Sequence, residues 1–321
     1  MAKNIYTEIK KELPEIQKNV SLKEYTTFKI GGPAKYFFVA KSKEDLIKAL
    51  EISKKFKLPI FLLGGGSNIL VSDKGFNGLV VKQQILGIEI NENKINVGAG
   101  VMLPKLVNAL LKNNFTGFEW ASGVPGTIGG AVYGNAQAFG TRTSDAVDSV
   151  EALNVETLKF QRFSKEQCGF SLKNSIFKKT KKFIVTSVVF KLEKGDEKEI
   201  KERIHGFAKH RKNNHPTTFP SAGSVFVNPE IEIKNKKLLE KYPELNELNK
   251  IGVIPSGYFI EKSGLKGKKI GGAQISEKHA NFIINLGNAK AKDVLALINL
   301  ARKKVKENFN VNLETEVQFI N

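Results

Sequence analysis

Apolar positions along the chain fall into short blocks whose period switches between helical and extended. Residues 43–57 carry Leu46, Ile47, Ala49 and Leu50 at helical intervals, and Ser42 stands three places before Asp45. That spacing predicts an amphipathic helix opened by a capping box. Residues 59–63 form an apolar run that stops at Gly64-Gly65-Gly66, which reads as a buried strand entering a loop. Residues 79–82 predict another strand, and 88–90 with 95–97 flank the polar tetrad 91–94 as a hairpin. Helical spacing returns over 103–111. A second hairpin is expected over 150–155 and 158–163, followed by a β-branched strand over 183–192.

Polar residues 193–196 mark a change of composition before a helix running to about residue 213, with Ile200, Ile204, Phe207 and Ala208 as its stripe. The main domain boundary is placed there. Beyond it, short strands are expected over 223–227, 256–261 and 281–285, and a helix over 291–307 with Val294, Leu297, Ile298, Ala301 and Val305 on one face. The end of the chain alternates cleanly: Val311, Leu313, Thr315, Val317 and Phe319 against Asn312, Glu314, Glu316 and Gln318. Helices and strands interleave too irregularly for a simple doubly wound sheet, so the fold class is α+β.

The 321 residues allow about two domains, and 41% hydrophobic with 26% charged residues is an ordinary globular balance. The single cysteine, Cys168, excludes an internal disulfide and a Cys-rich zinc site. No signal peptide or apolar membrane span is evident, so a soluble, cytoplasmic protein without membrane insertion is expected. The net charge of +19 invites a nucleic-acid reading, but only five of the 51 basic residues are arginine. Base-edge recognition favours the guanidinium fork, and the lysines are scattered beside acids. A Lys-biased solvated surface, or a basic cleft for a small anion, explains the excess better.

Several motifs are absent: a Walker lysine loop, His-Glu-x-x-His, a Gly-x-Ser-x-Gly elbow, and a full dinucleotide fingerprint after Gly98-Ala99-Gly100. His205, His210 and His215 lie five residues apart, a turn of about 140° per interval, so no metal site is expected. Two glycine-rich segments are more informative. Gly64-Gly65-Gly66-Ser67-Asn68 follows a strand and is either a tight structural turn or a nest of backbone N–H groups for phosphate. Ser122-Gly123-Val124-Pro125-Gly126-Thr127-Ile128-Gly129-Gly130 has the same character. Together they suggest a dinucleotide held by backbone groups. Ser224, between Gly223 and a strand, is either a turn serine or a reactive hydroxyl. Glu316, on the polar face of the last strand, faces solvent or a cleft.

These segments, taken in order, resemble the UDP-N-acetylenolpyruvoylglucosamine reductase family, the MurB family of peptidoglycan synthesis. The resemblance runs through 26–34, the 64–70 loop, 122–132, Ser221-Ala222-Gly223-Ser224-Val225-Phe226, 257–267, 271–276 with His279-Ala280-Asn281-Phe282, and 313–317. It is closest to the family's shorter, type II form. It implies a two-lobed FAD-binding region of the PCMH/VAO type over 1–192, a substrate-binding α+β domain over 193–310, and a terminal strand over 311–321 carrying Glu316. FAD is expected non-covalently at Gly64, Gly65, Gly66, Ser67, Asn68, Ser122, Gly123, Pro125, Gly126, Thr127, Gly129 and Gly130.

The implied reaction is a UDP-N-acetylmuramate dehydrogenase reaction: NADPH reduces the flavin, then the enolpyruvyl ether of UDP-GlcNAc-enolpyruvate takes hydride at its vinyl carbon. By family motif Ser224 matches the proton donor and Glu316 the acid that polarises the substrate carboxylate, while Asn228, Tyr258 and Lys266 match substrate contacts. One departure stands out. Where the family carries Tyr-Arg, this chain has Leu172-Lys173, which keeps a cation but loses the bidentate fork. Gln137, Phe139, Val227 and Gln318 depart from the family pattern as well. The alternatives are another non-covalent FAD oxidoreductase of the same superfamily, or a basic nucleic-acid-binding protein without catalysis.

Overall fold

The computed structural model describes residues 5–321, which divide into two compact units. The first comprises residues 5–21, 33–66 and 75–211, and the second residues 22–32, 67–74 and 212–321. The helix Glu197–Asn214 therefore lies almost wholly in the first unit, beyond the composition break near 193. Its Ile204 and Phe207 pack on that unit's core, a tertiary contact that local composition does not reveal.

The first unit has two lobes, each with its own core. One is a four-stranded sheet in the order Gln17–Ser21, Pro33–Ala40, Phe76–Gln83, Ile60–Leu63, whose last three strands run parallel. The helix Lys43–Lys55 covers it, opened by the reciprocal bonds of Ser42 and Asp45 that the sequence predicts. The other lobe is a five-stranded antiparallel sheet ordered Phe160–Ser164, Val147–Asn154, Phe183–Lys191, Lys94–Gly98, Ile88–Asn91, which contains both expected hairpins. The helix Leu103–Lys112 buries Leu103, Leu106, Val107 and Leu110 in that lobe's core.

In the second unit, strands Ser221–Ser224, Phe282–Asn285, Ala273–Ile275 and Lys269–Ile270 form an antiparallel sheet. The helix Ala291–Phe309 buries the predicted stripe Val294, Leu297, Ile298, Ala301 and Val305. Asp73 takes the N–H groups of Ala291 and Lys292, at 2.8 and 3.2 Å, and so ties segment 67–74 to the start of that helix.

Two expectations are corrected here. Residues 256–261 are not a strand: Ser256–Lys262 is a helix, with Ser256, Phe259 and Ile260 buried at helical spacing after Pro255. The expected strand over 311–319 pairs as a ladder only at Gln318–Ile320, parallel to Ile69–Val71. Its alternation breaks, leaving Phe319 exposed and Ile320 buried. The N–H groups of Glu316 and Val317 both point at the Val225 carbonyl, at 2.8 and 3.5 Å. That bulge-like two-to-one arrangement resets which face each following side chain takes.

Candidate active site

In the first unit the two glycine-rich loops meet. A Cβ on Gly65 would lie 2.6 Å from Gly126 Cα, and one on Gly64 would lie 2.7 Å from Thr127 Oγ1. Side chains are thus excluded at the point of contact. No protein acceptor is described for the N–H groups of Gly65 and Gly126. Converging, side-chain-free backbone with unspent donors suits a phosphate group, so the residues present fit a dinucleotide held by its pyrophosphate. Thr127 is buried and caps the short helix Ile128–Tyr133 through Gly130 N–H at 3.4 Å. Lys82 reaches under the first loop and donates to the Gly64 carbonyl, and burial lowers its pKa.

The second loop is held from behind by Arg211. Its Nε donates to the Ser122 carbonyl and a terminal nitrogen to the Trp120 carbonyl, both at 3.0 Å, and the guanidinium lies 5.0 Å from the Phe139 ring centroid. Phe139 stacks in turn on Phe207 at 4.5 Å. Phe139, a departure from the family pattern, is therefore part of the packing that supports this loop.

Lys173 sits at the tip of a tight turn closed by mutual backbone bonds between Ser171 and Asn174, with a left-handed φ of 53°. Buried Asn135 anchors the turn: its Nδ2 donates to the Ser171 carbonyl at 3.0 Å and its Oδ1 accepts from Ser144 N–H at 3.1 Å. Lys178 Nζ donates to the Lys173 carbonyl at 2.7 Å. The nearby Cys168 thiol is buried, and desolvation, with Glu166 adding to it, pushes its pKa up to about 12. A protonated, enclosed thiol is a poor nucleophile.

In the second unit Ser224 and Glu316 are brought together through one residue. Val225, which follows Ser224, accepts the Glu316 N–H at 2.8 Å. Asn68, at the end of the first glycine-rich loop, brackets the acid: its Nδ2 donates to the Glu316 carbonyl at 3.2 Å and its own carbonyl accepts from Gln318 N–H at 3.1 Å. Ser224 and Glu316 are both half-buried. Gly223 has φ +75° with open space where a Cβ would stand, so glycine is required there by the backbone and not by crowding.

The three expected substrate contacts have structural partners. Asn228 Oδ1 accepts from Ser256 N–H at 3.0 Å and so caps the corrected helix, and Lys266 pairs with Glu261 at 2.9 Å. Tyr258 packs against the unit's core with its hydroxyl enclosed, and burial, then the neighbouring Glu244 charge, raises its pKa. His205, His210 and His215 do not converge, and no cluster of metal-ligating side chains occurs among the described residues. His210 lies edge-on to Phe139, and His215 packs on His279 and Phe282. Four supporting residues escaped the sequence reading: Lys82, Asn135, Arg211 and Asn281. Asn281 had a signal as part of the His-Ala-Asn-Phe block, and Asn135 as the first residue of the stretch in which Gln137 and Phe139 depart from the family pattern.

Two converging glycine-rich loops on a two-lobed α+β scaffold fit an FAD-binding protein, and residues 34–157 match the FAD binding domain family. Residues 215–320 match the UDP-N-acetylenolpyruvoylglucosamine reductase C-terminal domain. The chain is 39% identical to the UDP-N-acetylenolpyruvoylglucosamine reductase of Clostridium novyi, over 95% of this chain and 92% of that protein. It is also 39% identical to the enzyme of the same name from Caldanaerobacter subterraneus subsp. tengcongensis, over 100% and 99% of the two chains. The crystal structure of UDP-N-acetylenolpyruvylglucosamine reductase (MurB) from Thermus caldophilus superposes with a TM-score of 0.75 at 32% identity, covering 96% of this chain and 98% of that one. This chain belongs to the UDP-N-acetylenolpyruvoylglucosamine reductase family, and FAD is its cofactor. Its fold is an FAD-binding region of the PCMH type joined to a C-terminal α+β domain. No helix among the described residues is long and apolar enough to cross a membrane.

Proposed function

We propose that this chain reduces the enolpyruvyl ether of UDP-GlcNAc-enolpyruvate to UDP-N-acetylmuramate with NADPH as co-substrate, a cytoplasmic step of peptidoglycan precursor synthesis. Family membership supports the reaction, and the bond between Glu316 N–H and the Val225 carbonyl carries its assignment to residues. That bond fixes a hydroxyl and a carboxyl side chain on adjoining backbone, as a proton donor and a polarising group for one substrate require. When bound, FAD supplies the redox chemistry that links NADPH oxidation to substrate reduction.

The residues act as follows. Gly64, Gly65, Gly66, Ser67 and Asn68, with Ser122, Gly123, Pro125, Gly126, Thr127, Gly129 and Gly130, line the flavin nucleotide, and the N–H groups of Gly65 and Gly126 serve as donors to its phosphates. As hydride arrives at the terminal vinyl carbon, negative charge grows on the adjacent carbon and spreads into the carboxylate. Glu316 acts on that carboxylate, Ser224 Oγ gives its proton to the carbon and recovers one from water, and Lys173 holds the family's cation position. A hydroxyl is a weak acid, so it stays protonated until the strongly basic carbon forms. By family motif Asn228, Tyr258 and Lys266 are assigned to substrate contacts. A nucleic-acid partner has no support beyond net charge.

A steady-state assay tests the reading. NADPH consumption that requires UDP-GlcNAc-enolpyruvate and yields UDP-N-acetylmuramate by mass spectrometry is expected. NADPH oxidation indifferent to that substrate would favour a different flavin oxidoreductase.

A further inference from the structure

Buried Asn281 spends every polar group it has on the segment that follows Ser224 or on the turn beside it. The Phe226 N–H donates to Asn281 Oδ1 at 2.9 Å, and Asn281 Nδ2 donates to the Phe226 carbonyl at 2.8 Å. The side-chain amide thus mimics a strand partner for one residue. The Asn281 carbonyl accepts from Val225 N–H at 2.8 Å, and its own N–H donates to His279 Nδ1 at 3.2 Å. The next residue, Phe282, pairs with Ser224 in the sheet, where the register shifts between Ser221 and Ser224. An irregular ladder leaves the backbone near Ser224 underdetermined, and the amide supplies the missing constraints. Val225 also accepts the Glu316 N–H, so the backbone that Asn281 grips follows directly on Ser224 and anchors Glu316.

We propose that Asn281 is a positioning residue that fixes the backbone behind Ser224, and with it the direction of the Ser224 hydroxyl toward the substrate carbon. The proposal rests on the reading of Ser224 as proton donor. The polar groups of Asn281 all bond to protein partners. A buried aspartate at 281 keeps the acceptor for Phe226 N–H but, when ionised, sets a negative oxygen against the Phe226 carbonyl. Substitution therefore damages aim more than the capacity to bind.

The test is a double-mutant cycle on the flavin-loaded enzyme with Ser224→Ala, Asn281→Ala and both together. Asn281→Asp, nearly isosteric, serves as a second variant should the alanine form fail to fold. Single-turnover oxidation of the reduced flavin by UDP-GlcNAc-enolpyruvate is measured beside the substrate Kd and the solvent deuterium isotope effect. Either Asn281 variant is expected to slow this step about tenfold to a hundredfold, since small misplacements of reacting groups cost that much. The Kd is expected to stay within about threefold, and in the Ser224→Ala background the Asn281 substitution adds less than about twofold. The Asn281→Asp enzyme is expected to recover as pH falls and its carboxyl regains a donor. Losses that multiply in the double variant would overturn the proposal by showing that Asn281 acts independently of Ser224. A Ser224→Ala enzyme with the parental rate would overturn the proton-donor reading itself, an outcome the single variant reports separately.

Discussion

The backbone N–H of Glu316 donates to the carbonyl of Val225 at 2.8 Å, which locks the terminal segment onto the residue after Ser224. The two candidate catalytic groups, 92 positions apart in the chain, therefore share one local frame. Glu316→Gln keeps this backbone bond and changes only the side chain. It is expected to slow flavin oxidation by the enolpyruvyl substrate by about tenfold or more, a loss of at least about 1.4 kcal/mol of transition-state stabilisation. Separate stopped-flow traces for the two half-reactions check this, and an equal loss in the NADPH step would remove Glu316 from the substrate chemistry.

Gly65 tests the cofactor cradle. A methyl group there meets Gly126 Cα at 2.6 Å, and neither backbone can move away cheaply. Gly65→Ala is expected to cost about 1–3 kcal/mol by overpacking and to lower flavin content at purification. Flavin released per mole of protein, read beside a thermal melt, checks this. Full flavin occupancy at the normal melting temperature would show that the loops separate without cost.

Lys173 tests the departure from the family pattern. The turn that carries it is anchored by Asn135, so the ammonium is presented from a fixed base. Lys173→Ala is expected to reduce kcat with the enolpyruvyl substrate by about tenfold or more, because a charge developing on the carboxylate loses its cation. Lys173→Arg is expected to keep more of the rate than alanine does, since it restores the fork that suits a carboxylate. Steady-state kinetics on both variants decides this, and an unchanged rate in the alanine enzyme would assign the carboxylate to a different cation.

His279 predicts a pH dependence of stability. Burial, its largest influence, lowers its pKa below the ordinary 6.5, with Lys266 adding to that, while a backbone hydrogen bond and Glu261 offset part of it. Its Nδ1 accepts the Asn281 N–H, which only the neutral ring can do. The folded state therefore binds this proton less readily than the unfolded chain. The contribution is whole above about pH 6.5 and is lost as pH falls through the lower folded-state value. Between about pH 8 and pH 5 the urea midpoint of the parent is expected to fall further than that of His279→Asn, whose amide oxygen keeps the acceptor at all pH values. Parallel curves would place the proton elsewhere.

Much of the fold was legible where local pattern and tertiary demand agree. The helices Lys43–Lys55 and Ala291–Phe309 announce themselves by apolar spacing, and the hairpins by polar turns between alternating runs. Ser256–Lys262 reads as a strand because its apolar run, Tyr258-Phe259-Ile260, is too short to distinguish the two periods, and the deciding contact is a cap from Asn228, 28 positions away. Phe319 falls on the other face because Glu316 and Val317 bulge opposite Val225, a partner remote in sequence, and shift the phase of the last strand. The glycine-rich loops and Ser224 were visible as composition. The residues that hold them were not: Arg211 reaches back 91 positions to Trp120, and Asn281 reaches 55 to Phe226. A single sequence carries no mark of such pairings, since any Arg or Asn in a polar stretch looks alike.

The central claim is most directly tested by mixing enzyme that carries reduced flavin with UDP-GlcNAc-enolpyruvate in the absence of oxygen. The account predicts that the oxidised-flavin spectrum returns in a single turnover, with one equivalent of UDP-N-acetylmuramate formed, and that Ser224→Ala slows this step more than it slows reduction by NADPH. Flavin that stays reduced until oxygen is admitted, with the enolpyruvyl substrate recovered intact, would contradict it.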